Sequence, residues 1–178
     1  GLVINLAIGQ GEISTTPLQM ATFYAGLANK GIIFKPHLLK QAITPSGKIF
    51  VTKKEQLIKL PFSPEILDTL NQALIGVVNE PFGTGGAARL PDITVAGKTG
   101  TAQNPFGGDH AWFICYAPAE APQIVLALLV ENAGHGGTIA APIAKRILQA
   151  FFEKNKEPRP QGGALILRPN RDPEPSSG

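Results

Sequence analysis

Residues 95–103 read Val95-Ala96-Gly97-Lys98-Thr99-Gly100-Thr101-Ala102-Gln103. These residues suit two different architectures. Gly97-Lys98-Thr99 matches the end of a phosphate-binding loop, which would open a helix in a parallel α/β fold. That motif needs another glycine five positions before Gly97, and Asp92 stands there instead. A carboxylate at that point repels phosphate, so the nucleotide reading fails. The other reading is a strand running through the lysine along the edge of a sheet. Lys98 then offers a fixed positive charge to a substrate carboxylate, and the hydroxyls of Thr99 and Thr101 add hydrogen bonds. Gly100 lets a substrate backbone lie against the strand, and an edge N–H can serve an oxyanion hole. The bland alternative is an ordinary strand with one solvated lysine, and Lys-Thr-Gly alone does not separate the two.

The flanking sequence favours an antiparallel sheet. Strand candidates cover residues 93–102, 111–116 and 123–130. A glycine-rich connection (103–110) and a short proline-containing turn (117–122) join them. Neither is long enough for a crossover helix, so an antiparallel meander is expected. A helix is expected from Thr16: Thr16 is an N-cap, Pro17 fits the first helical position, and Gln19 completes a capping box. Asn29-Lys30-Gly31 stops it, with Gly31 suited to the left-handed position. Residues 32–34 and 38–43 read as extended, and the turn at 44–47 returns residues 48–51 as a hairpin partner. A second helix starts at Ser63-Pro64-Glu65, presents Ile66, Leu67, Leu70, Leu74 and Val77, and ends at Pro81. A last helix over residues 140–152 is expected to turn Ile143, Ile147, Leu148 and Phe151 inward. The fold class is therefore α+β, an antiparallel sheet with packed helices.

Composition narrows the function. The chain has 178 residues, 43% hydrophobic and 16% charged, enough for one domain with a core. A net charge of +3 without a dense Lys/Arg stripe speaks against nucleic acid. The apolar run at 124–130 is too short to cross a bilayer. Cys115, the single cysteine, excludes an internal disulfide framework and is expected to be a buried structural thiol. His37, His110 and His135 have no Asp, Glu or Cys at metal-ligand spacing, so neither a metal nor a cofactor is expected. Trp112 and Phe113 read as core or site-wall aromatics. Residues 83–88 formally fit Gly-x-Gly-x-x-Ala but follow Pro81-Phe82 rather than a strand, so they read as a loop. Of the 20 glycines and 16 prolines, many fall in residues 153–178, a Pro-rich tail expected to be disordered. Residues 1–152 are the structured unit.

Several phrases together resemble the class B penicillin-binding proteins. Ile8-Gly9-Gln10-Gly11 with Thr16-Pro17-Leu18-Gln19-Met20-Ala21 resembles the entry into a late helix of their transpeptidase domain. Gly97 to Gln103 resembles their third motif, with its Lys-Thr-Gly-Thr-Ala-Gln. Asp109-His110-Ala111-Trp112-Phe113 resembles the next strand. Residues 131–137 and 140–144 are similar to the end of the penicillin-binding protein 2 branch. The resemblance implies a peptidoglycan D,D-transpeptidase working in cell-wall elongation: a serine attacks the D-Ala-D-Ala bond of a stem peptide, and a neighbouring amine captures the acyl group. β-Lactams acylate the same serine. It implies that Lys98, Thr99 and Thr101 act at the site, and that Lys98, Thr99, Gly100, Thr101 and Gln103 bind substrate or drug. The Thr101 N–H would complete the oxyanion hole. It implies, too, a place on the periplasmic face of the inner membrane beside a SEDS-type glycosyltransferase.

One departure matters as much. The family's nucleophile motif is Ser-x-x-Lys, yet Ser14, Ser46 and Ser63 are followed three positions on by Pro17, Ile49 and Ile66, and Ser176 and Ser177 lie at the end. The Ser-x-Asn motif is absent as well. The expectation is the C-terminal portion of a transpeptidase domain, partnered by an N-terminal half and inactive alone. A non-catalytic β-lactam sensor and a serine β-lactamase relative of the same fold are the alternatives.

Overall fold

The computed structural model describes residues 3–4, 9–11 and 13–156; most of the expected tail, residues 157–178, lies outside them. Helix α1 (Pro17–Ala28) starts as its sequence dictates. Thr16 Oγ1 accepts from the Gln19 N–H, and Gln19 Oε1 accepts from the Thr16 N–H at 2.8 Å, a reciprocal capping box. It ends in a Schellman turn, in which Gly31 N–H bonds the Gly26 carbonyl and Lys30 N–H the Leu27 carbonyl. Lys30 as well as Gly31 has positive φ, at 54° and 86°, so the left-handed turn begins one residue earlier than expected.

Strand β1 (Ile32–Phe34) pairs antiparallel with β4 (Gln56–Lys59), a strand that sequence periodicity did not reveal. Between them lies the expected hairpin, β2 (Gln41–Ile43) with β3 (Ile49–Val51), in register Gln41↔Val51. Every residue of β2, β3 and β4 is exposed, so no apolar alternation marks them. Helix α2 (Pro64–Asn79) is capped by Ser63. Its apolar face is met in part: Leu74 and Val77 pack against the cores and Val78 is fully buried, whereas Ile66 and Leu70 are exposed. Residues 86–88 form a 3-10 turn that buries Ala88.

The central sheet is the expected meander. Strands β5 (Ala96–Ala102), β6 (His110–Ala117) and β7 (Ile124–Val130) pair antiparallel in the order β5-β6-β7, with Lys98 opposite Ile114 and Thr101 opposite Ala111. β5 begins at Ala96, three residues later than residue 93. Period-two alternation divides β6 between two cores. Ala111, Phe113, Cys115 and Ala117 join Val78, Leu90 and Val95 on one face, under the last helix, α3 (Ala140–Lys156). Ile114 and Tyr116 join Tyr24 of α1 on the other, with Trp112 half-buried beside them. α3 runs past Phe152, and its inward face is Ala140, Ala141, Ala144 and Leu148. Ile143 and Ile147, expected inside, are exposed, because the close approach of α3 to the sheet selects alanines.

Candidate active site

β5 bonds only β6 within the described sheet, so its other edge is open. Gly97 secures the strand from behind: a Cβ there would come within 2.9 Å of Cys115 Cβ, the Ile114 carbonyl and the Phe113 ring. Two contacts fix which groups face outward. Gln10 Nε2 donates to the Thr101 carbonyl at 2.9 Å, and Lys98 Nζ donates to the Thr99 carbonyl at 2.9 Å. In an antiparallel ladder the N–H and C=O of one residue point to the same side. The N–H groups of Thr99 and Thr101 therefore face the open edge, where an incoming carbonyl oxygen can reach them.

The side chains of Thr99 and Thr101 stand on the α3 face. Thr99 Oγ1 lies 2.8 Å from Thr84 Oγ1, in the loop after α2. Thr101 Oγ1 lies 3.2 Å from His135 Nδ1, in the loop after β7. Gly136 sits on the Gly100–Trp112 pair so closely that a Cβ would overlap both their carbonyl oxygens. The result is a cleft of about 400 Å³ lined by Thr84, Thr99, Gly100 and Thr101 of one wall, and His135, Gly136, Gly137 and Thr138 of the other. Its lining is hydroxyls, an imidazole and backbone amides, a donor set suited to an anion such as a carboxylate.

Of the residues singled out from the sequence, Thr99, Gly100 and Thr101 converge here. Lys98 alternates to the opposite face, opposite Ile114, and is exposed; its ammonium reaches the open edge only through the Thr99 carbonyl. Gln103 lines a neighbouring cleft of about 520 Å³ with Gln10, Gly11, Asn104, Pro105 and Asp109. Thr84 and His135 were not expected at the site. Their only signal was a pair of glycine-rich loops, and nothing local tells that the two meet. Cys115 is fully buried, and burial pushes its thiol up to about 12, which removes it as a nucleophile. Among the described residues no cluster of His, Cys, Asp or Glu could hold a metal ion.

Comparison with known proteins gives the chain that carries this strand and cleft a family. Residues 1–149 match the penicillin-binding protein transpeptidase domain, and the chain belongs to that family. It is 33% identical over 158 residues to the peptidoglycan D,D-transpeptidase PbpA of Mycobacterium tuberculosis, covering 83% of this chain and 31% of that protein. It is 34% identical over 174 residues to the peptidoglycan D,D-transpeptidase MrdA of Acinetobacter baumannii, covering 88% and 25%. Among solved structures it resembles penicillin-binding protein A of M. tuberculosis as its imipenem acyl-enzyme, with a TM-score of 0.70, 33% identity, and coverage of 82% of this chain and 33% of that one. The chain thus spans about a quarter to a third of the length of these relatives.

Proposed function

We propose that this chain is the C-terminal part of a peptidoglycan D,D-transpeptidase and supplies the third-motif wall of its active site. The observation that carries the proposal is the open edge of β5, with the Thr99 and Thr101 amides outward and both hydroxyls in one cleft. In the intact enzyme a serine outside these residues attacks the carbonyl of a D-Ala-D-Ala bond. The Thr101 N–H steadies the oxyanion that develops, the terminal D-Ala leaves, and an amine of a second stem peptide takes the acyl group. Lys98 raises the positive potential along the edge, and Thr99 and Thr101 bind the substrate carboxylate. β-Lactams enter as mimics of the same dipeptide. The protein works in cell elongation and cell shape, at the periplasmic face of the inner membrane beside a SEDS glycosyltransferase.

The test is covalent labelling by a fluorescent penicillin. The full-length protein is labelled at a serine in a Ser-x-x-Lys motif. The isolated chain, in which no serine has that context, is not. Lys98→Ala in the full-length protein lowers the acylation rate on the order of tenfold or more, the scale of one lost charge-assisted interaction. Its melting temperature changes little, because Lys98 is exposed. An unlabelled full-length protein, or an acylation rate indifferent to Lys98, would sink the proposal.

A further inference from the structure

The contact between His135 and Thr101 is not explained by carboxylate binding through threonine alone. A hydroxyl has one proton. If His135 Nδ1 is bare, the Thr101 hydroxyl donates to it and turns only lone pairs to the cleft, which repels a carboxylate. If Nδ1 carries a proton, Thr101 Oγ1 accepts at 3.2 Å and its own proton is free for the ligand. Resting on the transpeptidase reading, we propose that His135 is a positioning residue: its Nδ1–H holds the Thr101 hydroxyl with the proton aimed at the ligand's carboxylate.

The loop that carries His135 is held through its backbone, while the exposed ring has its one hydrogen bond to Thr101. The His135 carbonyl accepts from Thr138 N–H at 3.2 Å, Ile139 N–H at 3.1 Å and Thr138 Oγ1 at 3.1 Å. Gly134 N–H donates to the Asp109 carbonyl at 2.8 Å, which ties the loop to the start of β6. Gly136 is buried against the β5–β6 ladder and admits no side chain. On the other side, Gln10 holds the Thr101 backbone at 2.9 Å. Thr101 is therefore clamped from two elements far apart in sequence, and the direction of its hydroxyl is left to one partner, His135.

The experiment uses the full-length transpeptidase and compares acylation by penicillin G with acylation by its methyl ester, which lacks the anionic carboxylate. His135→Ala is expected to slow the acid about tenfold, the scale of one hydrogen bond to a charged group, and to leave the slow ester reaction almost unchanged. His135→Asn, whose amide can place a donor where Nδ1 stood, largely restores the rate with the acid. In a Thr101→Val background His135→Ala has no further effect. An unchanged rate, an equal loss for acid and ester, or additive effects of the two substitutions would each overturn the role. Absence of labelling in the unsubstituted protein would remove the transpeptidase reading itself, a separately visible failure that takes the inference with it.

Discussion

The side-chain oxygens of Thr84 and Thr99 lie 2.8 Å apart, joining the loop after α2 to the strand that carries Lys98. The bond spans 15 residues of sequence and closes one side of the cleft. Either hydroxyl can be the donor, and when Thr84 donates, the Thr99 proton is free for a ligand. Thr84→Val keeps the shape and removes the partner. Thr84 is exposed, so water can replace the lost bond and stability changes by less than about 1 kcal/mol. Acylation of the full-length enzyme by a carboxylate-bearing β-lactam is expected to fall about fivefold, the equivalent of ~1 kcal/mol. Melting temperature and acylation rate, measured on the same variant, separate the two effects. A rate equal to that of the unsubstituted protein would show that Thr84 does not act on Thr99.

What the sequence showed, and what it hid, follow from the range of the interactions involved. Caps are local, so Thr16, Gln19 and Ser63 announced their helices correctly. The meander was legible because the connections from β5 to β7 are short and β6 and β7 are largely apolar. β4 escaped notice because its side chains are all exposed and it pairs with β1 across an intervening hairpin. The cleft shows the same division. Thr99, Gly100 and Thr101 are consecutive and carry a recognisable chemistry. Thr84 and His135 reach them from loops whose positions depend on packing: Ala88 and Gly85 buried against the core, and Gly136 against β5 and β6.

The inward face of α3 offers a direct check on packing. Of the face expected from the sequence, Ile143, Ile147, Leu148 and Phe151, the structure turns Leu148 inward beside Ala140 and Ala144 and leaves Ile143 and Ile147 outside. Leu148 is fully buried, and Ile147 is 40% exposed. Leu148→Ala is expected to cost ~2–5 kcal/mol, transfer plus cavity, and Ile147→Ala about 1 kcal/mol or less. Denaturant midpoints of the two variants in the full-length protein decide the matter. Equal losses, or a larger loss at Ile147, would mean that α3 is rotated from the orientation described here.

Cys115 tests the same core by chemistry. Its thiol is fully buried opposite Gly97 and Leu126, and desolvation raises its pKa to about 12. Tyr116 is raised to about 12 as well, first by burial and then by the neighbouring Tyr24 phenol, while its hydroxyl donates to Asn71 Oδ1 at 2.6 Å. Both groups hold their protons more tightly folded than unfolded. Their contribution to stability is therefore full at neutral pH. It is lost as pH rises from the unfolded values, roughly 8.5 for the thiol and about 10 for the phenol, towards the folded values of about 12. Two measurements follow. Iodoacetamide at mildly alkaline pH should modify the Cys115 peptide only after denaturation, as read by mass spectrometry. The denaturant midpoint should decline through that alkaline window, and phenolate absorbance should show Tyr116 ionising late or only with unfolding. Ready alkylation of Cys115 in the native protein would show that the sheet and α3 open far more often than their packing allows.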